Sequence, residues 1–305
     1  MQIFIYMFVL TFCILSLASL GGMFSERTGT INIGINGMMI IGAISYLVFG
    51  YYLGENASMW DQLFLIPLSG ILGALFASLH GFASIKLKAD QTISGFAINM
   101  LAFGLAIILL YTYGGGSKSV PFFVKELALS SDTSSYKNLL SFRLVLTIVI
   151  LVGSFVLVKF TPWGLKLRSI GENPQAADVA GVNVISYKWQ GVLISGFLSG
   201  IAGAFFAQSG PTQFKGEVDG LGYLALAIMI MGQWRIPWIS LSVLVFSLLR
   251  SLSVTLPLMQ PDTLGKYSDL LSLIPFVLTL IIMVATSKRS AAPAASGIPY
   301  DKSTR

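Results

Sequence analysis

The side chains in this sequence that could handle a polar molecule are amides rather than acids or nucleophiles. Asn32, Asn36 and Asn99 each fall in or beside an apolar run long enough to cross a membrane. An unsatisfied amide there is costly, so each must either line a polar route or bond to a neighbouring helix. The residue pattern leaves both readings open. If they line a route, removing the amides should impair transport more than stability. The chain has one histidine, His80, and one cysteine, Cys13, so no His/Cys set with metal-ligand spacing exists and no internal disulfide can form. No nucleophile–base signature accompanies them, so no catalytic residue, cofactor or metal is expected. His80 is expected as an interfacial side chain near the end of its run. Glu26 and Arg27 are expected to pair locally, and Arg250 to snorkel outward.

A second feature is the polar stretch "SIGENPQAADVAGVNV", residues 169–184. Asn173 is a good N-cap, and Pro174 follows at the first helical position, where its missing N–H costs nothing. Gln175 to Ala180 continue the helix and Gly181 can close it in the left-handed conformation. The product is about two turns, roughly 10 Å long. A helix that short is not stable alone in water, so something packs on it. Ala177 and Ala180 share a face at i, i+3, with Ala176 flanking, which lets a backbone approach closely. The packing surface is either a partner protein or this chain's own inner surface. Glu172 and Asp178 either pair with basic groups there or stay solvated.

The elements that must position these residues are membrane helices. Of 305 residues, 55% are apolar and 10% charged, and the mean hydropathy is +0.80. Soluble domains carry about 25% charged residues. The net charge of +6 has no basic cluster with interleaved aromatics, which argues against nucleic acid and for basic cytoplasmic loops. The first 26 residues hold no Lys or Arg, so the first apolar run is expected to remain as a span rather than act as a signal peptide. A span needs about 20 apolar residues. Candidates are roughly 3–22, 33–53, 62–82, 93–113, 139–160, 185–208, 219–232, 236–256 and 268–286, with 219–232 short and the lead-in to 33–53 polar. The fold class is therefore all-α, a polytopic membrane protein of about 8–9 transmembrane helices.

Placing the 163–184 loop inside puts twelve Lys and Arg inside and six outside, with Arg250 in a span. The inner set includes Lys166, Arg168 and Arg235; the outer set is Lys118, Lys125, Lys137, Arg143, Lys215 and Lys266. The domain division is a transmembrane part over 1–286 and a disordered cytoplasmic tail over 287–305. Two segments, "GTINIGINGMMIIGA" and "EVDGLGYLALAIMIMG", each lead a Gly-spaced polar stretch into a short apolar helix, from opposite sides in this orientation. An inverted repeat around a transport site gives that pattern, and so does ordinary small-residue helix packing.

The stretch at 169–184 resembles the cytoplasmic coupling loop of ABC importer permeases of the nucleoside, simple-sugar and branched-chain amino-acid group. "SERTGTINIGINGMMIIGA", "ADQTISGFAINMLA" and "GLGYLALAIMIMGQWRIPW" are similar to three further motifs of that group, in order, and the likeness runs from about residue 21 to 286. The "SERTG…NIG" form points to the nucleoside and simple-sugar branch. The resemblance implies a type II importer membrane domain that pairs with a second permease, often a longer paralogue. It implies a small polar solute delivered by an extracytoplasmic binding protein. It also implies two cytoplasmic ATPase domains, with Gly171, Glu172, Asn173, Pro174, Ala176, Ala177, Asp178, Ala180 and Gly181 forming the loop that docks on one of them. The chain has no G-x-x-x-x-G-K-[ST] phosphate loop, so ATP hydrolysis is expected from another polypeptide. Two positions depart from the group pattern. Asn36 stands where Glu is frequent, which disfavours a cationic or proton-coupled ligand, and Gln233 stands where a basic residue is common. A stand-alone secondary transporter is disfavoured because no Asp or Glu falls at a span centre. An intramembrane enzyme is disfavoured for lack of a carboxylate, His or metal set.

Overall fold

The computed structural model describes residues 2–116, 120, 124, 127, 141–209, 214–260, 263–286 and 292–302. The apolar runs form helices, because a backbone in lipid must satisfy its own hydrogen bonds. They are α1 (Gln2–Glu26), α2 (Ile35–Leu53), α3 (Gln62–Gly81), α4 (Gln91–Tyr113) and α5 (Phe142–Phe160). Two short helices follow, α6 (Pro162–Glu172) and α7 (Pro174–Val179). The order ends with α8 (Val184–Ala207), α9 (Leu221–Met231), α10 (Ile236–Met259), α11 (Ser268–Ser272) and α12 (Ile274–Thr286). Among the described residues eight helical stretches are long and apolar enough to span a bilayer. The segment expected at 219–232 is the exception: α9 has only 11 residues.

α8 is the axis of the bundle, and α1, α2 and α3 pack on it. Its most apolar window is 78% buried, against 22% for α5, which lies at the periphery. Lipid is as apolar as a core, so close backbone approach rather than hydrophobicity must hold these helices together. The small residues along α8 permit it. A Cβ on Gly203 would lie 1.9 Å from the Met39 carbonyl oxygen, and one on Gly42 would lie 2.1 Å from that of Gly200.

The basic residues divide between the two ends of the bundle. Arg27, Lys88, Lys188 and Arg235 cluster at the end that carries α6 and α7, where Gly171 meets the Arg27 carbonyl and Arg27 bonds Trp234. The start of α1 lies at the far end, where the Ser251 hydroxyl donates to the Phe4 carbonyl and Arg143 stacks 4.8 Å over the Tyr6 ring. Lys118, Lys125 and Lys137 lie outside the described residues.

The tail departs from the disorder expected over 287–305. Residues 292–302 pack on the α6–α7 corner: the Ala295 N–H donates to the Gly171 carbonyl (2.9 Å), and Ala295 is buried. Tyr300 joins Ile170, Ala177 and Val184 in a small apolar cluster, and Asp301 pairs with Lys88 at 2.6 Å. Composition alone read Ala, Pro, Ser and Gly as disorder, yet a few anchoring side chains suffice to order a short segment.

Candidate functional site

The chain unwinds after α1, and residues 27–34 form no helix. This stretch reaches into the bundle, and side chains satisfy its backbone. The Ile31 N–H donates to Gln91 Oε1 (2.6 Å), and the Ile31 carbonyl lies 2.9 Å from His80 Nε2. His80 Nδ1 lies 3.0 Å from Ser94 Oγ. His80 is thus a fully buried linker of α3, α4 and the unwound stretch, not the interfacial side chain expected.

Two helix N-termini meet at the end of this stretch. A Cβ on Gly222, at the start of α9, would lie 2.5 Å from the Asn36 Cα, at the start of α2. Eleven helical residues span about 16 Å, so the junction stands about halfway across a hydrocarbon layer of about 30 Å. Asn36 joins both partners: its Nδ2 donates to Glu217 Oε1 (2.7 Å), and its Oδ1 accepts from the Gly222 N–H (3.2 Å). Asn99 locks the other side. Its Oδ1 accepts from the Gly37 N–H (2.7 Å), and its Nδ2 donates to the Ile33 carbonyl and the Tyr223 hydroxyl, each at 3.0 Å. Asn32 bonds Ser195 Oγ on α8 (2.8 Å) and is fully buried.

The three amides therefore sit together around one junction, but each is occupied by protein. Asn36 is 2% exposed and Asn99 6%. That reverses the expected effect of removing them. Asn99→Ala leaves the Gly37 N–H without its acceptor and should cost about 1–3 kcal/mol. The expected readout is a lower unfolding temperature of the purified protein in detergent. An unchanged temperature would return Asn99 to the role of a wet lining residue.

Sequence reasoning singled out neither Glu217 nor Asp219, which fall in the Gly-spaced polar lead-in to the 219–232 run. Glu217 lies beside the point where two helix N-termini converge. It also lines a cavity of about 400 Å³ between α1, α10 and the stretch before α9, together with Lys215, Asp219 and Arg250. Arg250, expected to snorkel outward, has a partner: its Nη2 bonds Asp219 Oδ2 at 3.2 Å. Asp219 and Gly220 both have left-handed backbone (φ 52° and 67°), which turns the chain sharply into α9. The signal available in the sequence was the glycine spacing of "GEVDGLG", which marks a tightly folded lead-in.

At the opposite end the short helix forms as its caps dictate. Asn173 Oδ1 accepts from the Ala176 N–H (2.9 Å), Pro174 starts α7, and Gly181 is left-handed at φ 83°. Its inward and outward faces differ from a simple alanine seam. Pro174 is buried and Ala177 packs on the chain's own Ile170 and Val184, whereas Ala176, Ala180 and Val179 are exposed, Val179 at 77%. Glu26 and Arg27 do not pair with each other as expected. Both grip the α9–α10 turn: Trp234 Nε1 donates to Glu26 Oε2 (2.7 Å), and the Arg27 guanidinium donates twice to the Trp234 carbonyl (2.8 and 3.1 Å). Gln233 and Trp234 in that turn hold φ of 51° and 53°, a conformation costly for such side chains. Burial draws the Arg27 guanidinium below its ordinary pKa, and the charge of Glu172 opposes that shift.

Comparison with known proteins fits this arrangement. Residues 4–282 match the family described as "Branched-chain amino acid transport system / permease component". The nucleoside ABC transporter permease protein NupC of Lactococcus lactis subsp. cremoris is 37% identical over 296 residues, covering 93% of this chain and 92% of that one. The guanosine ABC transporter permease protein NupQ of Bacillus subtilis is 34% identical over 306 residues, covering 95% and 94%. A second permease of the same Lactococcus, NupB, is 22% identical over 253 residues, covering 78% and 68%. No solved structure matches the chain. The family model and two relatives more than 30% identical each cover nearly the whole chain: the chain belongs to the branched-chain amino acid transport system permease family, and is an ABC transporter permease.

Proposed function

We propose that this permease carries a nucleoside inward as one membrane subunit of an ATP-driven importer. The observation that carries the reading is the end-to-end similarity to two permeases named for nucleoside and guanosine transport. In this reading a second, paralogous permease completes the membrane unit, as the co-occurrence of NupC and NupB in one Lactococcus suggests by analogy. An extracytoplasmic binding protein delivers the solute to the far end of the bundle. A partner ATPase docks on the outward face of α7, so that the α6–α7 end and the 292–302 segment are cytoplasmic. The division of basic residues between the two ends supports that orientation.

The test is uptake by proteoliposomes holding the complete importer, with binding protein outside and ATP inside. Saturable, ATP-dependent uptake of a ribonucleoside is expected; transport of ribose or leucine in its place would overturn the nucleoside reading. Sidedness is tested separately by single cysteines in a Cys13→Ser background. An impermeant thiol reagent on intact cells should label Lys215→Cys and Lys266→Cys but not Lys166→Cys. Labelling of Lys166→Cys from outside would invert the orientation.

A further inference from the structure

We infer that the cavity between α1 and α10 is a binding site for the sugar of the transported solute, with Glu217 and Asp219 accepting from its vicinal hydroxyls. The inference rests on the nucleoside reading and extends it to a site and a chemical group. The first support is shape. The cavity, about 400 Å³, falls in the range of small-molecule sites, and apolar Leu10, Ile14 and Phe206 line it together with charged side chains. The second is charge. Lys215 and Arg250 balance Glu217 and Asp219, so the cavity holds no cation excess with which to bind a phosphorylated ligand.

The third support is hydrogen-bonding capacity. Glu217 Oε1 takes the Asn36 amide and Asp219 Oδ2 takes Arg250. Glu217 Oε2 and Asp219 Oδ1 accept no hydrogen bond among the described residues, which leaves two carboxylate oxygens open in the cavity lining. Arg250 Nη2 bonds Asp219 Oδ2, and the other N–H groups of Arg250, with Lys215, are the donors of the set. Open carboxylate oxygens beside such donors call for a ligand that both donates and accepts. A neutral sugar edge with two adjacent hydroxyls does so, while its attached base can lie on the apolar side chains. Glu217 also bonds the start of α2, so a ligand seated there contacts the junction of α2 and α9 directly. The site thereby couples occupancy to the two half-inserted helix starts.

The experiment compares uptake of guanosine and 2′,3′-dideoxyguanosine by the complete importer in proteoliposomes. The same binding protein delivers both, so a change in their ratio between wild type and variant reports the permease alone. Glu217→Gln keeps a carbonyl oxygen for Asn36 and replaces the second oxygen with a donor. It should lower the guanosine-to-dideoxyguanosine ratio about ten-fold, the usual scale for losing a hydrogen bond to a charged group. Asp219→Asn should shift the ratio in the same direction. An unchanged ratio in both variants would overturn the assignment. Failure of both to assemble with the ATPase would do so as well, by making the carboxylates structural. A wild-type importer that takes up no ribonucleoside refutes the nucleoside reading and the sugar site together.

Discussion

Gly203→Leu is expected to abolish recovery of folded permease, while Gly153→Leu is tolerated. Both glycines lie inside spanning helices, so propensity alone would rank them together. Their surroundings separate them. The first side-chain carbon at position 203 would sit 1.9 Å from the Met39 carbonyl oxygen and 2.7 Å from its carbon. The obstacle is backbone of α2, which no rotamer change can move aside. At position 153 nothing lies within 4 Å. Relief at 203 requires α2 and α8 to separate along a seam that also holds Gly42 and Gly200. That sacrifices van der Waals contact over several turns, and van der Waals contact is the main attraction between helices in lipid. The expected destabilisation is at least about 4 kcal/mol, in the class of severe core lesions. The measurement is the monodisperse fraction after detergent extraction, followed on a fluorescent fusion by gel filtration. A symmetric, full-height peak for Gly203→Leu would show that the α2–α8 seam is looser than its geometry requires.

What could be read from the sequence was whatever is encoded locally. Hydropathy over some twenty residues marks the spans, and the order Asn173, Pro174, Gly181 marks α7, because caps act within four residues of themselves. The stretch before α2 was visible as polar, and so was the glycine spacing before α9. Their meeting was not visible, since the Asn36–Glu217 bond joins residues separated by most of the fold. The same holds for each correction. His80 is a linker because Ile31 and Ser94 come to it from two other elements. Arg250 has a partner because the left-handed turn at Asp219 brings that carboxylate back over α10. Ala177 faces home because Tyr300, near the chain's end, returns to cover it. In each case the missing information is a long-range partner that neither periodicity nor composition carries.

The two faces of α7 are expected to respond differently to a bulky ring. If an ATPase docks there, the surface it meets comprises Ala176, Ala180 and Val179, with Gln175 beside them, because these side chains are exposed while Pro174 and Ala177 are not. Val179, an apolar side chain at 77% exposure outside the spans, gains most from being covered. Ala176 is exposed and takes no part in the Ile170, Ala177 and Val184 cluster. Ala176→Trp should assemble with the second permease normally and keep its unfolding temperature. A ring projecting into the docking surface would hold the ATPase off, so stimulation of ATP hydrolysis by loaded binding protein should fall at least about ten-fold, corresponding to roughly 1.4 kcal/mol of lost contact. Ala177→Trp should fail differently. Its ring must enter the cluster of Ile170, Val184 and Tyr300, where overpacking costs about 1–3 kcal/mol, and it should loosen the 292–302 segment from the loop. The readout for that variant is faster proteolysis of the C-terminal segment together with a lower unfolding temperature. Normal stimulation in Ala176→Trp, with loss confined to Ala177→Trp, would mean that α7 acts only as internal scaffolding and that the ATPase binds elsewhere on the α6–α7 end.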